Sequence, residues 1–366
     1  VNKRSLTAYG ISAFAFLALA SCNSPAANTA EKATSAASAS IFTADVFAEA
    51  ETAPVATAND DAADDPAIWR NSAEPDQSLI VGTDKKGGLY VYGLDGAVKS
   101  FTEAGRLNNV ALLENIEIQG KRGILVAASD RADEKNAKIA LFTLDGSTGK
   151  LAKIGSVPAS AGEAYGLCLY QVKASDELYA FVVNKEGTIA QVKLSLKGPA
   201  AEGGVVRTMK LNSQSEGCVV NAETGTLYVG EEDVGVWKFD AGEKGPIEPQ
   251  SVAKVDGQTL IADVEGLALA RTGADGGYLV VSSQGDNAYA VFDLENEAFV
   301  GRFRIAPQEG GLDGTYETDG IELALGNFGT KFPNGLFIAQ DGDNAPEAQN
   351  FKLVSWADVK AKLALK

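Results

Sequence analysis

The stretch NDDAADDPAIWR, Asn59 to Arg70, sets Asp60, Asp61, Asp64 and Asp65 directly ahead of an apolar run, Ala67-Ile68-Trp69, that reads as the start of a buried strand. Like charges packed against a core repel one another and lose hydration, so carboxylates in this position call for a counter-cation. Acidic groups of the same kind recur: Glu216 in NSQSEG, Glu231-Glu232-Asp233 in GEEDVG, Asp263 and Glu265 in ADVEG, and Gln284-Gly285-Asp286. Two more are Asp313 to Asp319 in DGTYETDG and Asp341 to Asn344 in QDGDN. Carboxylate, amide and backbone carbonyl oxygens are the ligand set of calcium, which takes about six to eight of them in flexible geometry. No loop is an EF-hand, and one such turn alone is an ordinary hairpin tip. Their recurrence is what points to calcium.

The chain contains no histidine. That excludes Ser-His-Asp and Cys-His nucleophiles, phosphohistidine intermediates and every His-ligated zinc site. Chemistry is left to carboxylates, lysines, arginines, tyrosines or a metal held by oxygen. Lys85 and Lys86 in TDKKGG, Arg131 in ASDRADEKN and Lys185 in NKEG each follow an apolar strand, as the acidic loops do. Together with calcium, such a rim would bind a multiply charged anion such as a phosphate ester. The formal net charge of −17 argues against nucleic acid as a partner.

The elements that would position these residues show in a repeat of apolar alternation followed by an Asp/Gly turn. It is centred near Tyr92, Phe142, Val192, Trp237, Val291 and Leu353. A second apolar strand precedes each: SLIVGT, GILVAASD, LYAFVVN, GTLYVGEED, GYLVVSSQGD and GLFIAQDGD. Multi-strand repeats of about 40–50 residues are the signature of propeller blades. The fold expected is all-β, a six-bladed β-propeller over residues 43–366, with a helix near Trp356–Leu365. A propeller brings loops that are distant in sequence together around one end of a central channel.

Residues 1–21 read as a leader, with Lys3 and Arg4 ahead of an apolar run, and Leu19-Ala20-Ser21-Cys22 resembles a lipobox. Cys22 is then the lipidated N-terminus, and it is the only expected attachment to a membrane. Residues 22–42 form a flexible tether, and Asn23 after Cys22 points to the bacterial outer membrane. Losing Lys3 and Arg4 takes the net charge from −17 to −19. Cys168 and Cys218 remain, and export leaves two outcomes open, a disulfide or two buried thiols.

Taken in order, DAADDPAIW, DKKGGLYVYGLDG, GRLNNV, EAYGLCLY, NKEG, MKLNSQSEG and EEDVGVWKF resemble motifs of the β-propeller (alkaline) phytases. So do ADVEGL, SSQGDNAYAVFD, DGTYETDGI, FIAQDGDN and QNFKLVSW, and the resemblance runs from Glu51 to Trp356. It implies a monomeric 3-phytase that hydrolyses phytate (myo-inositol hexakisphosphate), as calcium-phytate, with several calcium ions. By motif position, Asp64, Glu216, Glu232, Asp263, Glu265, Gln284 and Asp319 resemble the ligands of the catalytic calcium cluster. Lys85, Arg131, Tyr165 and Lys185 resemble the residues that hold substrate phosphates. Glu51, Asp65, Asn109, Asp313, Asp341, Asp343 and Asn344 resemble the structural calcium sites. The sequence departs from the family pattern in the stretch before Asp64, one residue longer, and at Asp343, where glutamate is common.

The implied mechanism is attack on phosphorus by a metal-activated water, with Glu232 or Asp319 as proton acceptor and Lys85, Arg131 and Lys185 stabilising phosphoryl charge. Two rival readings use the same fold. A calcium-dependent lactonase or phosphotriesterase would need fewer basic residues, and a non-enzymatic, calcium-stiffened binding scaffold would release no phosphate.

Overall fold

The computed structural model describes residues 41–58, 61–273 and 276–366. The leader, Cys22 and nearly all of the tether expected from the sequence lie outside the described residues, as do Asn59 and Asp60. The remainder of the chain forms six sheets, each built mainly from strands consecutive in sequence. The first four sheets span residues 63–103, 107–161, 164–210 and 215–254, and the last two are built around 264–305 and 321–355. The first strands of successive sheets touch one another around a closed ring, from Ala63–Trp69 through Ile321–Ala324 and back. This is the six-bladed propeller the repeat predicts.

The ends of the chain close the ring. Ala50–Glu51 pairs antiparallel with Asn350–Ser355 and supplies the fourth strand of the sixth sheet. Thr43–Val46 adds a fifth, parallel strand to the outside of the fifth sheet, in register with Arg302 to Ile305. The helix runs Trp356–Leu363, two residues shorter than the sequence suggests, because Ala364 turns into the left-handed region (φ 52°). Trp356 and Val359 anchor it against the fifth and sixth sheets.

The described residues share no single core. Six apolar clusters sit between neighbouring sheets, each drawing on two adjacent blades. A middle strand is therefore covered on both faces, which explains the unbroken burial of Leu178–Asn184 (LYAFVVN). Outer strands such as Val98–Glu103 face water and are largely polar. Cys168 and Cys218 form a disulfide that joins the first strands of the third and fourth sheets, with Cα atoms 5.7 Å apart. Between the two outcomes the sequence leaves open, the structure selects the disulfide.

Candidate active site

One end of the propeller carries two rings of side chains, each occupying equivalent positions in successive blades. The inner ring is the second residue of each first strand: Asp64, Asn108, Tyr165, Glu216 and Glu265. In all five blades the pairing register shifts across this residue. Such irregularities bend a strand and re-aim its side chains. In the sixth blade the first strand begins only at Ile321, and the matching place is taken by Asp319, whose carbonyl accepts from the Gly266 N–H at 2.9 Å, while Glu322 lines the central cavity. Glycine follows three of the ring residues because the neighbouring first strand comes close. A Cβ at Gly166 would lie 1.8 Å from the Glu216 carbonyl oxygen, and one at Gly217 2.1 Å from that of Glu265.

The outer ring is the first residue after each second strand: Lys85, Arg131, Lys185, Glu232 and Gln284. Each N–H donates to a carbonyl just before, or within a residue of, its own blade's first strand. The acceptors are Ala62 (2.7 Å), Arg106 (3.0 Å), Glu163 (3.1 Å), Gln214 (3.0 Å) and Asp263 (2.9 Å). The backbone thus fixes where each side chain starts. Blades one to three contribute cations to this ring, and blades four and five a carboxylate and an amide.

Asp64 and Asp65 lie within the strand Ala63–Trp69, not in a loop ahead of it as the sequence suggests. Asp64 is 1% exposed, and its oxygens take bonds from Lys85 Nζ and Asn108 Nδ2, both at 3.0 Å. Oxygens of Glu216, Glu232 and Glu265 lie within 4.8 Å of one another. Asp319 reaches the same place from the loop before the sixth blade, bonded to Lys85 Nζ at 3.0 Å and Gln284 Nε2 at 2.7 Å. Asp263 is close enough to Glu232 to oppose its ionisation.

Burial and mutual repulsion hold these acids toward their neutral forms. Burial, then Asp64 and Asp319, push Glu216 well up, and burial with Glu216 does the same to Glu265. Burial, then Asp263, raises Glu232 to about 7. Burial also raises Asp319 to about 7, although Lys85 partly offsets it. Burial opposes the charge of Lys85, yet Asp64, Asp319 and Asp61 together hold its ammonium well above the usual lysine range. Glu232 Oε1 and Glu265 Oε2 are buried with no hydrogen-bond partner. Orphaned carboxylate oxygens in an all-oxygen donor set, without Cys or His, fit a hard divalent cation.

The cationic side is also organised. Arg131 lies over the Tyr165 ring, 5.3 Å from its centroid, and Lys185 Nζ lies 5.2 Å from the same centroid. Glu216, then burial, keeps the Tyr165 hydroxyl protonated. Glu163 pairs with Arg131 Nη2, and Asn108 Oδ1 accepts from Nη1. Lys85 also pairs with Asp61 at 2.6 Å, so three carboxylates converge on it.

The remaining candidates form two separate groups. Asp65, Asn109 and Glu322 line a cavity of about 230 Å³ bounded by first strands of all six blades. Burial, then Asp64, raises the Asp65 carboxyl well above its usual range, and burial lifts Glu322 to about 7. Glu51, Asp313, Asp341 and Asn344 instead converge on Lys352, a lysine absent from the sequence reading. Its Nζ lies 2.5 Å from Glu51 Oε2, 3.1 Å from Asp341 Oδ2 and 3.3 Å from Asn344 Oδ1, and it also pairs with Asp313. Asp343, between Asp341 and Asn344, is exposed and makes none of these contacts. The chain thus supplies one positive charge to a group expected to need a metal. Three carboxylates share this one ammonium, which leaves the group short of positive charge and able to take a cation.

Lys352 is wholly buried and joins the N-terminal strand to the sixth blade. Lys352→Met should therefore lower the melting temperature by roughly 5–10 °C, since breaking a buried ion pair costs about 3–5 kcal/mol. Turnover at permissive temperature should be kept. Calorimetry beside a kinetic assay checks both.

Sequence reasoning missed Asn108, Glu163, Asp61 and Gln340. Asn108 and Glu163 stand beside residues it chose, and Asp61 lies in the opening acidic run. Gln340 accepts from the Asp319 N–H at 2.9 Å and donates to the Ala63 carbonyl at 3.1 Å. The signal for Asn108 is a polar pair, Asn108-Asn109, directly ahead of the apolar run Val110-Ala111-Leu112-Leu113.

Comparison with known proteins agrees with this geometry. The phytase family model matches residues 12–365. A 3-phytase of Bacillus subtilis (strain 168) is 40% identical over 326 residues, covering 86% of this chain and 85% of that protein. With the match spanning both rings of the site, the chain belongs to the phytase family.

Proposed function

We propose that this protein is a 3-phytase that releases phosphate from phytate and that its metal is calcium. The observation that carries the reading is the division of the site. Lys85, Arg131 and Lys185 border a buried group of carboxylates, two of whose oxygens have no partner. Asp64, Glu216, Glu232, Asp263, Glu265, Gln284 and Asp319 would hold the catalytic ions. Glu51, Asp313, Asp341, Asp343 and Asn344 would hold a structural ion beside Lys352, and Asp65 and Asn109 another near the channel. When bound, calcium supplies positive charge to the phosphoryl oxygens and makes water more acidic.

The chain's own residues do the rest. Arg131, braced by Asn108, Glu163 and the Tyr165 ring, presents a fixed planar fork to phosphate oxygens. Lys85 and Lys185 add point charges from the flanking blades, and the Tyr165 hydroxyl remains a hydrogen-bond donor. Glu232 Oε1, buried and unpartnered, takes the proton of the water that attacks phosphorus, with Asp319 as the alternative acceptor; the P–O bond to the inositol ring breaks, and the leaving oxygen takes a proton from the protonated acceptor or from solvent. Phosphate release from phytate, measured with and without calcium beside a lactone panel, tests the reading. Lactone turnover without phosphate release would overturn it.

The protein acts as a monomer, exported and lipid-anchored at Cys22 to the bacterial outer membrane, with residues 1–21 removed and 22–42 as tether. The Cys168–Cys218 disulfide supports export, since such bonds persist in oxidising compartments. Cys22→Ser should abolish lipid labelling and shift the protein from the membrane to the soluble fraction. An unmodified mature N-terminus at another position would contradict the anchor.

A further inference from the structure

We propose that Asn108 is the positioning residue that ties the phosphate-binding arginine to the metal-facing carboxylates. Its side chain is wholly buried at the second position of the strand Leu107–Ile118. In neighbouring blades that position holds Asp64 and Tyr165, and further round Glu216 and Glu265. Asn108 is thus the one neutral amide in the inner ring.

Both ends of the amide are committed. Oδ1 accepts from Arg131 Nη1, while Nδ2 faces the carboxylate oxygens Asp64 Oδ2 at 3.0 Å and Glu216 Oε1 at 2.6 Å, with Asn109 Oδ1 at 2.9 Å beside them. Arg131 fixes the orientation, because a guanidinium only donates and must therefore face the amide oxygen. No other uncharged side chain of similar size offers an acceptor to one side and two donors to the other. A hydrophobic residue would leave Arg131 held by Glu163 and the Tyr165 face alone, with Asp64 and Glu216 short of a donor in a buried place. An aspartate would keep the acceptor for Arg131 but set a third carboxylate against Asp64 and Glu216. The two halves of the amide can therefore be tested separately.

This inference rests on the reading of the site as a phosphate-releasing centre. The test is a double-mutant cycle on Asn108 and Arg131. It is read both as kcat and KM for phytate and as the Kd of inorganic phosphate by calorimetry, which reports whether or not an ester is cleaved. Wild-type phosphate release in the same assay judges the parent reading on its own. Asn108→Ala should raise KM and the phosphate Kd about tenfold, and the same change in an Arg131→Ala background should alter them less than about twofold. Asn108→Asp should keep KM and Kd within about threefold of wild type while kcat falls about tenfold or more. Losses that multiply in the double variant would overturn the proposal. So would an Asn108→Asp protein whose KM and Kd rise as far as those of Asn108→Ala. Should the alanine variant fail to fold, the aspartate variant decides alone by its split between KM and kcat.

Discussion

Glu232→Ala is expected to lower phytate turnover by about 10²–10⁴, the range for loss of a general base, and further if the residue also holds the metal. The melting temperature in chelator should stay the same or rise. Glu232 is buried, its Oε1 has no partner, and burial together with Asp263 opposes its ionisation. Near neutral pH, folding therefore gains little from this carboxylate, whose other contact is with Gln214, until a cation or substrate meets it. In calcium, the variant should show a smaller gain in melting temperature than wild type, because ligand binding stabilises in proportion to site occupancy. Thermal melts in chelator and in calcium, beside kcat, separate the effects. A variant that melts several degrees lower in chelator while keeping its turnover would move Glu232 out of the reaction centre.

The second large effect concerns pH and metal removal together. By the protein's own groups, Glu232, Asp319 and Glu322 are raised to about 7, each chiefly by burial. Unfolded carboxyls titrate near about 4. Between those values the folded chain binds more protons than the unfolded chain, so stability falls as pH rises. The contribution of these acids is fully present below about pH 4 and is lost as pH passes through about 7. Each group contributes a slope of at most about 1.4 kcal/mol per pH unit. Bound calcium reverses the sign, because it stabilises the ionised oxygens and competes with protons for them. Carboxylates depressed below their usual range therefore belong to the metal-loaded protein alone. Chelated protein should melt progressively lower from pH 5 to pH 8, and calcium-loaded protein should not. Phosphate release should be strong at about pH 7 and above, weak below roughly pH 5, and lost in chelator until calcium is restored. A chelated protein whose melting temperature rises over this window would contradict the burial argument.

Much of this was legible in the chain because it is local. The second and third strands of every blade announce themselves, since cover on both faces demands unbroken runs such as those of Leu79–Asp84 and Leu336–Asp341. The outer strand Glu202–Lys210 is exposed along most of its length, and no hydrophobic period marks it. Ala50–Glu51 is too short for any period, and its partner, Asn350–Ser355, lies some 300 residues away. The outer-ring residues could be read for the same local reason: Lys85, Arg131, Lys185, Glu232 and Gln284 each end an apolar strand.

The sequence by itself therefore determined the strand repeat, the absence of histidine chemistry, and the donor types that suit a hard cation and a phosphate ester. The tertiary structure decided which of those residues meet. It placed Asp64 inside a strand and aimed it by a shift in register, and it gathered Glu216, Glu232 and Glu265 from two blades. It sent Lys352 into the carboxylates assigned to a structural ion, and it set Asn108 between Arg131 and two acids. Those outcomes depend on close approach between chain segments tens to hundreds of residues apart. Burial and charge pairing there are properties of the closed ring, and no local pattern of residues encodes them.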